Sequence, residues 1–276
     1  MANHLPSPPV RQGTTEVSLL TSADPLPADV AGYNRWRTGL TWRSTVDLTA
    51  ESQPNDCTSF SWTAPTDPTL PVVDTFTIGV VHGCDGRVDA DEFADEGRAA
   101  LEDKQAWLVG REVWTGADHP QSLQATATLV SGTASVRRTI ADLVANYQDA
   151  TKGGRAVVHV PYRALESAAA SLLDVVTRVG NRLVMADGTI VVPGPGYPGN
   201  AGNWGPLTDD NDPESGAAAS SGEVFIYVTG PVQVGLGPVS DRSSDRPRAN
   251  QVQALFERQV IARWDPTFVF AGKATL

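Results

Sequence analysis

At 276 residues, with 21 Lys+Arg against 32 Asp+Glu, the chain carries a formal net charge of −11 and is long enough to bury a substantial core. That field repels phosphate and argues against tight, sequence-independent DNA binding as the main activity. No apolar run approaches the roughly 18 residues of a membrane-spanning helix, and the 25 Gly and 20 Pro follow no three-residue period, which sets membrane-helix and collagen-like classes aside.

Residues 1–10 hold three prolines and no charged stretch followed by an apolar one, so the expectation is a protein kept in the cytoplasm after synthesis. Only three of the basic residues are lysines (Lys104, Lys152 and Lys273). Arginine suits bidentate carboxylate pairing across interfaces, which points to protein partners. Cys57 and Cys84 are too few for a disulfide framework or a structural zinc site. They read as buried thiols, with a single 57–84 disulfide as the alternative.

Residues 1–75 contain nine prolines and few apolar runs, a composition of loops. They also carry Tyr33, Trp36, Trp42, Phe60 and Trp62, for which a solvated tail has little use. These five are the candidate contacts of the arm and loop with other elements or other subunits.

Residues 76–81 form a short β-rich run closed by a turn at Gly83-Cys-Asp-Gly86. Residues 88–114 then read as a helix, with Phe93, Gly97, Leu101, Leu108 and Val113 near helical spacing and Asp89, Asp91 and Glu92 where the helix dipole favours acids. Its acidic face is a solvated surface or a contact with arginines of another subunit.

From residue 120 to 235, helical and strand patterns alternate. Residues 135–147 present Val136, Ile140, Leu143 and Val144 on one face, and residues 156–160 read as a buried strand. Pro161 opens a helix expected over residues 162–179. Residues 182–185 and 189–193 form a hairpin through Asp187-Gly188, and residues 224–229 form a further strand after a flexible patch. The remainder gives strand-like runs at 250–258, 260–264 and 268–271. Glu257 and Arg258 are expected on a strand making charge-assisted contacts, with Trp264 buried nearby. The fold class is α+β, with no regular βαβ series.

Motifs of chemistry fail in turn. Gly194-Pro-Gly-Tyr-Pro-Gly199 satisfies the dinucleotide pattern on paper, but two prolines remove the N–H donors a phosphate needs and no helix follows. Residues 209–214 (Asp-Asp-Asn-Asp-Pro-Glu) depart from calcium-loop spacing and read as a solvated loop. His82, Cys84 and Asp85 lack a second ligand cluster nearby. His4, His82, His119 and His159 stand alone, and His159, inside an apolar strand, reads as a satisfied core residue. No catalytic, cofactor-binding or metal-binding residue is assigned, no cofactor is expected, and a non-enzyme is the reading.

The order of elements from residue 75 onward resembles the Hong Kong 97-type major capsid protein of tailed bacteriophages. The pieces are Leu101-Glu-Asp-Lys-Gln-Ala-Trp-Leu108 with Trp114-Thr-Gly116, then Thr139-Ile-Ala-Asp-Leu143, then Val157-Val-His-Val-Pro161 opening a helix. Gly188-Thr-Ile-Val-Val192, Val224-Phe-Ile-Tyr-Val228, Pro231-Val-Gln-Val-Gly235 and Ala262-Arg-Trp-Asp-Pro-Thr-Phe-Val-Phe-Ala271 follow.

The resemblance implies an N-terminal arm over residues 1–38, an extended loop over 39–73, a peripheral domain from 74–118 and 236–276, and an axial domain over 119–235. It implies a structural virion protein that self-assembles into an icosahedral shell enclosing phage DNA, in the virion capsid and assembled in the host cytoplasm. The implied partners are copies of itself in hexamers and pentamers, neighbouring capsomers, and decoration, portal or separate scaffolding proteins. DNA would be touched weakly and without specificity, and no membrane is involved. The alternatives are an encapsulin-like compartment shell, another phage head or tail component, or, from a different class, a soluble α+β hydrolase.

Overall fold

The structure, a computed structural model, describes residues 17–28, 30–37, 39–41, 72–85, 90–116, 122–169, 174–198, 205–206, 216–246 and 251–276. Residues 209–214, Cys57, Trp42, Phe60 and Trp62 lie outside that set, and with them the solvated-loop reading, any 57–84 disulfide and three of the five aromatic candidates.

In chain order the elements begin with α1 (Leu19–Ser22), β1 (Asp24–Pro25), α2 (Tyr33–Trp36), β2 (Leu40–Thr41), β3 (Val72–Val73), β4 (Phe76–Asp85) and α3 (Ala90–Thr115). They continue through α4 (Leu123–Thr126), β5 (Thr128–Ser135), α5 (Val136–Thr151), β6 (Val157–Pro161), α6 (Tyr162–Ser167), β7 (Val176–Val179), β8 (Arg182–Met185) and β9 (Ile190–Gly194). The last are β10 (Glu223–Thr229), β11 (Gln233–Leu236), β12 (Ser240–Arg246), β13 (Gln251–Arg263) and β14 (Phe270–Thr275).

Two sheets organise these elements. The first is centred on β13, which pairs antiparallel with β4 on one edge and with β12 and then β11 on the other, while β1 adds parallel to β11. The second runs β5-β14-β10-β6-β9-β8-β7, parallel at β5/β14 and β6/β9 and antiparallel elsewhere. The closing strand β14 thus returns to the sheet built by residues 128–229, and β11 joins the first sheet.

The period-2 alternation of β13 buries Ala254, Phe256, Val260 and Ala262 against helix α3. Gly97 allows that approach, because a Cβ there would come within 2.0 Å of the Phe256 ring. The helix ties the two sheets together. Its Phe93, Leu101, Val109, Val113 and Trp114 share one core with Phe76, Ile78 and Phe256 of the first sheet and with Val157, Ile190, Phe225 and Tyr227 of the second. Truncating a fully buried Phe of this kind costs about 3–5 kcal/mol. The opposite face of the second sheet is covered by α5 and α6 through Ile140, Leu143, Val144 and Ala164. Its central strands β6 and β9 are therefore buried on both faces, and they read as continuous apolar runs for that reason.

Several expectations are corrected. The helix expected over 162–179 ends as α6 at Ser167, and Val176–Val179 is a strand instead. Val175, Val176 and Thr177 are β-branched, and Gly180, at φ +60°, closes a two-residue turn into β8. Strand β5, rich in Ser, Thr and Gly, was not foreseen as a strand; it forms at the sheet edge because β14 supplies its ladder. The runs at 250–258 and 260–264 are one 13-residue strand. Glu257 and Arg258 do lie on it and Trp264 is buried, but being successive they part company. Glu257 pairs with Arg242 at 2.7 Å, whereas Arg258 donates to the amide oxygen of Gln105 on α3 at 2.7 Å, so the arginine's partner is not a carboxylate.

Candidate subunit-contact surfaces

The described residues between 17 and 41 lie across their own chain. Ser18 caps α1 reciprocally with Thr21, and Leu19 enters the main core beside α3. Trp36, 1% exposed, packs with Leu26 and Val73 onto Ile261 of β13 in a small separate core. Tyr33 meets Trp36 edge-on, with centroids 5.1 Å apart, and its hydroxyl donates to Gln259 Oε1 at 2.5 Å. Trp36 is thus buried against its own chain while Tyr33 stays partly exposed, and among the described residues this segment covers an apolar strip beside Ile261 of β13. Strands β2 and β3 pair as Leu40↔Val73 and Thr41↔Val72, so the stretch between them leaves and returns at one two-stranded stem beside that core.

Among the described residues, the ladders leave one side of β4, β12, β5 and β7 without a paired strand. Apolar side chains stand exposed on or beside such edges: Val81 of β4 at 69%, Val179 of β7 at 61% and Leu129 of β5 at 52%, with Leu236 at the end of β11. Sequence reading missed them. The available signals were the doublets Val80-Val81 and Leu129-Val130, where strict alternation puts one of two adjacent apolar residues on the outer face.

A buried polar joint connects the second sheet to α3. His159 is fully buried, with Nδ1 at 2.7 Å from the Tyr197 hydroxyl and Nε2 at 2.9 Å from Thr229 Oγ1. The Thr229 hydroxyl spends its hydrogen on the Gly230 carbonyl at 2.8 Å, so it accepts from Nε2–H, and Nδ1 accepts from Tyr197. Burial holds His159 neutral by lowering its pKa to about 3, and pushes the Tyr197 phenol far up. A neutral, closed, fully partnered imidazole is a structural element, in line with its reading from the sequence. The Gly194-Pro-Gly-Tyr-Pro segment that carries Tyr197 forms a turn after β9 and packs against α3. Trp114 completes the joint, with centroids 4.9 Å from Tyr197 and 4.7 Å from Tyr227.

His82 is engaged locally, its Nε2 3.2 Å from Glu96 Oε2 and its ring 4.6 Å from that of Phe93. Among the described residues no group of three or more His, Cys, Asp or Glu is placed to hold a metal ion, and no helix is long and apolar enough to cross a membrane.

No protein-family model and no curated protein matches the sequence. Solved structures do match along the whole chain. The capsid of a native GTA particle is similar at TM-score 0.55 and 11% identity, covering 100% of this chain and 95% of that one. The capsid of an empty GTA particle gives 0.51 at 11% identity over 100% and 93%, and a chain of Mycobacterium phage Che8 gives 0.51 at 12% identity over 99% and 95%. The chain therefore has the α+β Hong Kong 97-type capsid fold expected from the order of its elements.

Proposed function

We propose that this chain is a structural subunit that assembles with copies of itself into the icosahedral capsid shell of a tailed-phage-type particle, enclosing DNA. The observation that carries the reading is the end-to-end likeness to capsid chains of GTA particles, which spans both sheets and the helix between them. The net charge of −11 supports it, since a shell must contain DNA without gripping it along its whole inner face.

In this reading the first sheet and α3 form the peripheral domain and the second sheet the axial domain, with the boundary drawn by strand pairing so that β14 joins the axial part. The stretch between β2 and β3 is the extended loop, and its Trp42, Phe60 and Trp62 are the contacts offered to a neighbour. The partners are further copies in hexamers and pentamers, neighbouring capsomers, and separate portal, decoration or scaffolding proteins. The site of action is the virion capsid, after assembly in the host cytoplasm. The role is mechanical and assigns no catalytic residue.

Sedimentation velocity on freshly purified protein tests this reading. Boundaries of megadalton species or of capsomer rings support it, and a single boundary at about one chain mass across a wide concentration range contradicts it.

A further inference from the structure

We propose that residues 19–36 act as a strap whose clasp, Asp24 with Arg155 and Arg182, fixes the angle between the two sheets, and that this angle sets the curvature with which subunits close. The second clause rests on the shell reading above; the first does not.

Asp24 belongs to both sheets at once. Its backbone extends the first sheet: β1 runs parallel to β11 with Asp24 opposite Gln233, and its N–H donates to the Val232 carbonyl at 2.8 Å. Its carboxylate is held by the second sheet. Oδ2 accepts from Arg155 Nη2 at 2.7 Å and Oδ1 from Arg182 Nη2 at 2.8 Å, and the same Arg182 nitrogen reaches the Ala23 carbonyl at 3.2 Å. Arg155 stands just before β6 and Arg182 opens β8.

On either side of the clasp the strap is anchored apolarly, by Leu19 in the main core and by Leu26 and Trp36 on Ile261. Helix α3 already spans both sheets through their shared core. The strap adds a second link, which begins beside α3 and ends on β13. The backbone part of the link is only two residues long, so its hold depends on the clasp. Asp24 and Arg182 are each 29% exposed and Arg155 43%, so the better-shielded Arg182–Asp24 bond counts for more than the Arg155 one.

The test uses the full chain with Asp24→Asn, which keeps the shape and removes the charge, and the double variant Arg155→Ala/Arg182→Ala, which removes the clasp from the other side. The first readout is amide hydrogen exchange on unassembled protein. The proposal expects the amides of Ser22, Ala23, Asp24 and Leu26 to exchange about tenfold faster or more in both variants, with β10 and β13 unchanged. Unchanged exchange at 22–26, or acceleration spread evenly over both sheets, overturns the strap. The second readout is the particle diameter distribution by electron microscopy. A broadened or shifted distribution is expected, and a distribution identical to wild type overturns the curvature role. If the wild-type protein forms no particles the shell reading fails, and the exchange result still decides the clasp.

Discussion

Gly196 rests directly on the backbone of α3 at Trp107: a Cβ on Gly196 would stand 2.0 Å from the Trp107 carbonyl oxygen and 2.4 Å from the Arg111 nitrogen. Both obstacles are backbone, so neither can swing aside. The contact brings the turn after β9 onto α3 and delivers Tyr197 to His159 and Trp114.

Gly196→Ala should therefore cost about 3 kcal/mol or more, at the upper end of overpacking penalties, because a helix or a turn must move as a body. Urea denaturation at neutral pH checks this. A loss under about 1 kcal/mol would mean that the turn is not seated on the helix.

The buried imidazole makes stability depend on pH with a definite sign. An unfolded histidine takes up its proton near pH 6.5, whereas His159 in the fold does so only near 3. Between those values the unfolded state binds more protons, so this group's share of stability is intact above 6.5 and falls by up to about 1.4 kcal/mol per pH unit as pH drops toward 3. His159→Asn should be less stable at pH 7, having lost a bond to Tyr197 or Thr229, yet show a shallower decline between pH 6 and 4. Parallel slopes in the two proteins would contradict the assignment.

Trp36 is buried against its own subunit, so Trp36→Ala should act on the unassembled chain. Truncating a buried indole costs about 3–5 kcal/mol of packing. Because Trp36, Leu26, Val73 and Ile261 form a core apart from the main one, the loss should appear as local opening of residues 26–41 and of the β2/β3 stem. Limited proteolysis with mass mapping would show new cuts there. Unchanged protection would mean that the ring serves a neighbour instead.

What the sequence made legible follows from where the signal is periodic. The helix at α3, the apolar stripe of α5 and the apolar strands β6, β9 and β10 all announce themselves over four or more residues. Residues 162–179 misled because Leu165, Ala168, Leu172 and Val176 keep helical spacing while the stiff Val-Val-Thr run and Gly180 favour a hairpin. Strand β5 was hidden since its partner, β14, lies far along the chain. The clasp was out of reach for the same reason: Asp24 lies 131 positions from Arg155 and 158 from Arg182, and no local pattern links them. Composition marks Tyr33 and Trp36 as aromatic side chains in a loop-like segment, but it cannot say whether what they pack against is in the same subunit.

Cryo-electron microscopy of the purified, full-length protein tests the central claim most directly. The account predicts closed icosahedral shells whose reconstruction resolves one fold per subunit, with α3 crossing both sheets and the 17–41 segment lying on its own chain. A uniform population of monomers or small discrete oligomers under all assembly conditions, or shells whose density does not accommodate this two-sheet fold, would contradict it.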